Sequence, residues 1–323
     1  TTYNGTYVSG DMNWYFPAEG LPALTARIKA DMLNTKTFFG EGAIDNEGFW
    51  RAENGQWSKK EFDFEWLRKF NATIDLDVSE IDHKIYNFKN IVLKAELKDS
   101  VLDVHDFRTR IWQGDLKASG GLRIAKLPSM HSKFTYSGVD IKEFHPFTDI
   151  LDDMSGRLSI RGDMTSSGVN VFSMVQNAQG ALSVVGGNLT LNGFNLANLV
   201  RAANTVRTVA DIDKLVSYAD QGGETLIRSM QGTINLSNGL LRSPGMQIVT
   251  KVGNGTIKGK ISMMDWSVNV AIAVYLSALQ KTSPPSIILL FEGPINQTSR
   301  TLDTQSLESF IARQAAERLL DSR

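Results

Sequence analysis

Strict alternation of apolar and polar residues is the pattern that most constrains the fold of this chain. Within 72–78 every second residue is apolar and the residues between them are Thr or Asp. The stretch 91–97 repeats this period except at Val92, and in 268–276 every second residue is Val, Ile or Leu. Successive side chains of a β-strand point to opposite faces, so each stretch predicts a strand with one apolar face. Gly, Pro, Asn and Asp residues separate the runs. The pattern therefore predicts a mainly β fold built on a strongly twisted antiparallel sheet.

The N-terminal part of the chain is less regular than the rest. The stretch 24–33 fits a strand or a short helix, and we favour a strand. The stretch 35–60 is rich in Gly, Asn and charged residues, which predicts hairpins and loops. The stretch 61–70 stays ambiguous, because its aromatic residues also fit a helical period.

Two segments depart from the period of two and predict helices. From Leu196 to Val206 the apolar residues follow helical spacing, Asn195 can cap the first turn, and Gly222 and Gly223 follow as a break. We therefore expect a helical insert over 195–219. The apolar residues of 305–320 also fit one face of a helix, which we expect to pack against the end of the sheet.

Composition and spacing exclude several classes of protein. The 323 residues carry a formal net charge of −1, so we expect no nucleic-acid partner. The chain has no Cys, and its four His residues are scattered, so we expect no metal site and no cofactor. We interpret Asp152 and Asp153 as turn residues, and we expect no enzymatic activity and no catalytic residues. A site assembled from distant residues stays open, which leaves a carbohydrate-active β enzyme as a third possibility.

Several segments resemble the AsmA family of bacterial envelope proteins, in particular its C-terminal region. Two of them, 174–183 and 192–196, lead into the predicted helical insert, and 232–239 contains a tight turn at Asn238 and Gly239. Further matches are 291–296 and the strand-turn unit 111–116. The resemblance is closest from residue 63 to the C-terminus and looser over the first sixty residues.

This resemblance implies a protein anchored in the bacterial inner membrane, with its bulk in the periplasm and its N-terminal anchor upstream of this chain. It also implies a sheet that forms an open apolar groove, akin to the bridge-like lipid transfer proteins, and a role in phospholipid movement and outer-membrane integrity. We expect one elongated β-groove region of a larger protein. In it, 1–60 would end a preceding repeat, 61–170 would form a β repeat, and 171–323 would form the C-terminal region.

The apolar stripes are the candidate lipid-binding residues, and phospholipid acyl chains are the expected ligand. An alternative function is a structural or assembly factor that binds envelope proteins through the edges of its sheet. The candidate groove residues are Ile74, Leu76, Val78, Leu93, Ala95, Leu97, Val268, Val270, Ile272, Val274 and Leu276.

Overall fold

The computed structural model describes residues 2–3, 6–34, 55–83, 86–144, 151, 153–205 and 222–321. The protein is mainly β, as predicted, and few of the described residues are helical. The sixteen strands are β1 (Thr2–Tyr3), β2 (Thr6–Tyr15), β3 (Ala23–Asn34), β4 (Asn71–His83), β5 (Tyr86–Lys98), β6 (Val101–Ile111), β7 (Gly114–Arg123), β8 (Ser129–Asp140), β9 (Met154–Ser167), β10 (Gln179–Asn192), β11 (Glu224–Ser237), β12 (Leu240–Thr250), β13 (Asn254–Ser262), β14 (Ser267–Tyr275), β15 (Ser286–Pro294) and β16 (Ser299–Asp303).

The strands form one open, twisted sheet in which spatial order follows chain order from β1 to β16. The pairs from β4 to β8 and from β13 to β16 are antiparallel, as predicted. However, β3 and β4 run parallel, so the sheet is mixed and the prediction of an antiparallel sheet was wrong at this pair. A tight turn can join only antiparallel neighbours, whereas β3 and β4 are separated by the long segment 35–70. Alternation of residue types reveals the faces of a strand but not its direction.

Tight hairpins connect several neighbouring strands. Each of three turns has both central residues in the left-handed region, as type I′ hairpin turns require. The turn just before β7, which begins at Gly114, falls within the predicted strand-turn unit 111–116, and the predicted tight turn at Asn238 and Gly239 is confirmed. The turns lie at Asp99 and Ser100, Trp112 and Gln113, and Asn238 and Gly239.

Within the described residues, three α-helices interrupt the strands: α1 (Val171–Gln176), α2 (Leu196–Ala203) and α3 (Gln305–Asp321). The predicted cap of α2 is confirmed, since the Asn195 side chain accepts a hydrogen bond from the Asn198 N–H at 2.8 Å. The rest of the insert predicted over 195–219 lies outside the described residues from 206 onward. Helix α1 was not predicted. Its first turn is held by a reciprocal pair of hydrogen bonds between Asn170 and Ser173.

The C-terminal helix and its packing are confirmed. Helix α3 contacts β15, and its Leu307, Phe310 and Ile311 are buried. Near its start, the Ser306 hydroxyl accepts a hydrogen bond from the Ser286 N–H at 3.0 Å. Ser286 is the first residue of β15, and β16 pairs only with residues 288–292 of that strand. The helix therefore covers the start of β15, which β16 leaves unpaired.

By its contacts the chain divides into two compact units that interleave along the sequence. The expected boundaries near residues 60 and 170 stay predictions. Unit 1 comprises Thr1–Val139, Ser159–Leu182 and Asn235–Leu240, and unit 2 comprises Asp140–Leu158, Ser183–Ile234 and Leu241–Arg323.

Candidate functional site

In unit 1 the register brings the predicted stripes of β4 and β5 onto one face. Ile74 lies opposite Ala95 and Leu76 lies opposite Leu93. On the other side of β4, Ile28 of β3 is the neighbour of Leu76. Directly opposed residues share a face of the sheet, so these side chains form a continuous apolar surface across three strands.

The opposite face of the same strands is polar and exposed to solvent. Asp75 and Lys94 are directly opposed there, with 3.9 Å between the carboxylate and the ammonium group, and both side chains are about half exposed. Exposed ion pairs of this kind stabilise a fold little. Unit 1 is therefore apolar on one face of these strands and hydrated on the other.

The apolar face of unit 1 is closed at its ends and more open in its middle. Near one end, Val78 packs with Ala30 and Ile91 and is only 1% exposed. Near the other end, Leu97 is 3% exposed and packs with Ala72 and Ile124. Of the six predicted residues here, Val78, Ala95 and Leu97 are buried, whereas Ile74, Leu76 and Leu93 are only half-buried.

A segment that we call the strap, residues 55–70, covers the second of these ends. Its Phe64, Leu67 and Phe70 pack against the cluster of Ala72, Leu97 and Ile124. The region read as ambiguous in the sequence is thus neither a strand nor an α-helix but a covering segment with one 3₁₀ turn, Glu65–Arg68.

Backbone hydrogen bonds fix the strap to the segment around α1. The Phe62 N–H donates to the Val169 carbonyl at 2.9 Å, and the Phe172 N–H donates to the Ser58 carbonyl at 2.9 Å. The Lys59 ammonium lies 4.7 Å from the centre of the Phe172 ring, which adds a cation–π contact. Hydrogen bonds therefore hold residues 58–62 of the strap to the segment around α1, while its apolar side chains cover one end of the apolar face.

Between the two closed ends lies a pocket of about 370 Å³ on β5 to β8. Of the predicted groove residues only Leu93 lines it. The sequence analysis missed the β6 residues because a register shift between Val104 and Phe107 interrupts the alternation. It missed the β7 residues because Gly120 and Gly121 interrupt the apolar pattern of that strand. The lining residues are Leu93, Leu102, Val104, Phe107, Ala118, Ser119, Gly120, Gly121, Leu122, Met130, His131 and Ser132.

The predicted stripe of β14 also lies on one face, within unit 2. Val270 lies between Gly259 of β13 and Phe291 of β15, and Ile272 lies opposite Leu289. Both residues are half-buried.

The other three members of this stripe are core residues. Val268 and Val274 are each 3% exposed and Leu276 is fully buried. Leu276 follows the last residue of β14, and its N–H donates to the Pro285 carbonyl at 2.8 Å. The β14 stripe thus repeats the pattern of unit 1, with a half-buried middle between buried ends.

A charged side chain stands beside this second stripe. Arg300 of β16 lies opposite Phe291, and its guanidinium lies 3.3 Å from the carboxylate of Asp153, just before β9. The Asp153 carboxylate is thus engaged in an ion pair, and Asp152 lies outside the described residues.

One further pair of titratable groups, on β6 and β7, serves a structural contact. Arg110 and Asp115 flank the turn at Trp112 and Gln113, and the guanidinium donates to the carboxylate at 2.9 Å. This hydrogen bond lowers the pKa of Asp115 below its usual value and raises that of Arg110. Both groups are exposed, which fits a hairpin contact better than a buried reactive site. Within the described ranges, no three His, Asp or Glu side chains gather as metal ligands.

Comparison with known proteins identifies one family. A model described as the AsmA family matches residues 1–246, which include the β4 and β5 stripes, the pocket and α2. The matched region includes the first sixty residues, where the resemblance was looser, and ends before the β14 stripe. Searches among curated proteins and among solved structures gave no match. In the part of the chain that the structure describes, no helix has the length and apolar character needed to cross a membrane.

Proposed function

Because the chain belongs to the AsmA family, a family associated with the bacterial envelope, we propose that it carries or shelters phospholipid acyl chains. In this role the apolar faces act as a β-groove through which lipid moves between the inner and outer membranes. The function supports outer-membrane integrity and involves no catalysis. The full-length protein would be held to the inner membrane by an N-terminal anchor, with this region in the periplasm.

The observation that carries this proposal is the half-buried middle of the apolar face in unit 1. A closed core would bury Leu76 and Leu93 as completely as it buries Val78 and Leu97. Instead the face opens into a pocket lined largely by apolar side chains. An accessible apolar concavity with few polar groups is the kind of surface that binds hydrocarbon.

The energetic reason for such a surface is the cost of hydrating an acyl chain. Moving hydrocarbon into water costs about 0.8 kcal/mol per methylene, so a sixteen-carbon chain costs roughly 12 kcal/mol. An apolar trough removes most of this cost and leaves the polar head of the lipid in water. It needs no specific polar contact to the chain, so a stripe of Leu, Ile, Val and Ala residues suffices. A direction of transport would require an energy source or a lipid sink in another protein.

The alternative of an assembly factor rests on a different observation, the edge of β2. Strand β1 pairs only with Thr6 and Tyr7, so the segment 9–15 has no strand partner on that side among the described strands. Tyr7, Trp14 and Tyr15 on this strand are between 48% and 68% exposed. An unpaired edge with exposed aromatic residues can accept a strand from another protein.

Neighbouring residues on the two faces of β5 provide the test. We expect Leu93→Asp to keep a melting temperature close to that of the wild type, because Leu93 is only half-buried, and to lose about tenfold or more of the phospholipid that co-purifies. Val92→Asp places the same charge one residue away on the opposite face and should keep its lipid. Both quantities are measured on the same samples, by mass spectrometry of extracted lipid and by thermal unfolding.

Two outcomes would contradict the proposal. Wild-type protein that carries no phospholipid from the envelope and takes up none from vesicles would favour the assembly factor. Folded Leu93→Asp with undiminished lipid would remove the unit 1 face as the binding surface.

A further inference from the structure

A second, polar pocket lies at the rim of unit 1, where β6, β8 and β10 begin and β7 and β9 end. Its volume is about 480 Å³. Two of its lining residues, Arg123 and Ser129, are directly opposed on β7 and β8. Both stand at strand ends, where the two faces of the sheet meet. The side chains that matter for its chemistry are those of Arg123, Ser129, His131, Thr165, Ser167 and Asn177.

The charge of this pocket is one-sided. Arg123 is exposed, and among the described residues it has no ion-pair partner and no Asp or Glu lines the pocket. The nearest carboxylate along β9, Asp163, lies 3.5 Å from the Lys133 ammonium and is already paired. An unpaired guanidinium in a concavity without carboxylates favours an anionic ligand.

The polar neighbours of Arg123 suit a phosphate oxygen. The hydroxyls of Ser129, Thr165 and Ser167 can each donate a hydrogen bond. Asn177 is fixed at the wall, since its side-chain amide donates to the Ser167 carbonyl at 2.8 Å. A guanidinium with hydroxyl groups nearby is a common setting for phosphate recognition, because its N–H groups match the spacing of phosphate oxygens.

The polar pocket adjoins the apolar pocket on β5 to β8. Both are lined by Gly121, Met130 and His131. Met130 is 39% exposed and lies opposite Leu122, one position from the pair of Arg123 and Ser129. Successive residues of a strand point to opposite faces, so Arg123 and Ser129 lie on the face opposite Leu122 and Met130, and the two pockets meet around the strand ends. Across this rim the lining changes from hydrocarbon to guanidinium, which is the polarity profile of an amphiphile with a phosphate head.

We propose that the rim pocket binds the phosphate group of a ligand whose hydrocarbon chain occupies the adjoining apolar pocket. The inference rests on the proposed function, and it names the part of the lipid that this chain recognises. Arg123 supplies the charge, and the hydroxyls and His131 complete the contact. A soluble phosphate ester has the same chemistry, so the experiment must separate the two sources.

Matched ligands distinguish binding of the phosphate head group from binding of the hydrocarbon chains. Phosphatidylglycerol with two eight-carbon chains is compared with the diacylglycerol that has the same chains and no phosphate, and glycerol 3-phosphate serves as the soluble phosphate. Affinities are measured for the wild type, for Arg123→Gln and for Arg161→Gln, which removes an exposed arginine from β9 outside the pocket. We expect the wild type to bind phosphatidylglycerol about tenfold more tightly than diacylglycerol, and Arg123→Gln to lose this preference while its diacylglycerol affinity is unchanged.

The outcomes distinguish this inference from the proposed function. If glycerol 3-phosphate alone binds, and does so through Arg123, the phosphate site stands and its source is soluble. If wild type binds both lipids equally, or Arg161→Gln has the same effect as Arg123→Gln, the rim pocket is overturned while the groove stands. If neither lipid binds, the groove itself fails.

Discussion

The apolar stripes of unit 1 and unit 2 share a period of two in sequence but have different covers in the structure. In unit 1 a strap with one 3₁₀ turn lies over one end of the face, and its apolar side chains are only half-buried. In unit 2 a seventeen-residue helix packs on β15 through three buried side chains. Both stripes nevertheless have buried ends and a half-buried middle, so different covers can produce the same pattern of exposure. Alternation alone does not decide which residues of a stripe become core.

Removing the two covers should give the largest difference. Deleting Gln305–Arg323 exposes apolar surface on β15 and removes the burial of Leu307, Phe310 and Ile311. Each such side chain contributes about 1.5–3 kcal/mol when buried. We expect the melting temperature to fall by about 10 °C or more, with loss of solubility. Thermal unfolding and sedimentation of the truncated protein measure both effects.

The matched change in unit 1 replaces Phe64 and Leu67 of the strap by Ala. Because these side chains are half-buried, the melting temperature should fall less than in the truncated protein. A chain that ends at Arg318 is the control for truncation and should unfold like the wild type. Equal falls in melting temperature for the strap and helix variants would show that the two covers stabilise the protein equally, contrary to the expected difference.

A charge placed at two positions of the β14 stripe should have opposite effects on folding. Val274 is buried, so Val274→Asp forces a carboxylate into the core, at a cost of several kcal/mol, and should unfold the protein. Val270 is half-buried, so we expect Val270→Asp to stay folded, with a melting temperature near that of the wild type, and to lose bound phospholipid. Thermal unfolding and lipid mass spectrometry on the same samples give the answer. An unfolded Val270→Asp protein would make the whole stripe ordinary core.

The smallest expected difference concerns the ion pairs of the two units. The hydrogen bond from Arg110 keeps the pKa of Asp115 below its usual value of 3.8. The contribution of this pair to stability is therefore complete above that value and is lost as the pH falls through the lower pKa of the folded protein. We expect Asp115→Asn to lower the melting temperature by only about one degree at pH 7, because the pair is exposed. At a pH well below 3.8 the difference from wild type should vanish.

The counterpart in unit 2 is Asp153→Asn. Its partner Arg300 is less exposed than Arg110, with 32% of its side chain accessible against 54%. The melting temperature should therefore fall at least as far as in Asp115→Asn at pH 7. A smaller fall would show that the ion pair of Asp153 and Arg300 stabilises the protein no more than the hairpin pair of Asp115 and Arg110.

The sequence allowed the strand faces to be predicted but not the exposure of the residues on them. That Ile74 and Leu76 share a face with Leu93 and Ala95 follows from alternation, because a strand can turn only one of two faces to the core. That Leu93 is half-buried while Leu97 is buried depends on Phe64 and Leu67, which are distant in sequence. The pocket residues Phe107 and Met130 were missed for a related reason, since a register shift and a Gly-rich strand conceal which face they share.

The helices show the same division between local and distant causes. Asn195 caps α2 through a residue three positions away, which a sequence pattern can reveal. The parallel pairing of β3 with β4 depends on the path of the chain between them, and no local pattern encodes that path. The Arg123 pocket was likewise absent from the prediction, because it gathers the ends of five strands from 101 to 179.

The order of the strands also determines how the sheet can form in time. Every strand has its sequence neighbours as its partners, so most pairings require only the closure of a short turn. A chain of this kind can add strands to a growing edge as it emerges during synthesis or export, because few of its contacts wait for residues made much later. The two longest connections are the exceptions, since β4 cannot join β3 until the segment 35–70 has been made and β11 cannot join β10 until the segment 193–223 has been made. We therefore expect assembly to pause before Asn71 and again before Glu224.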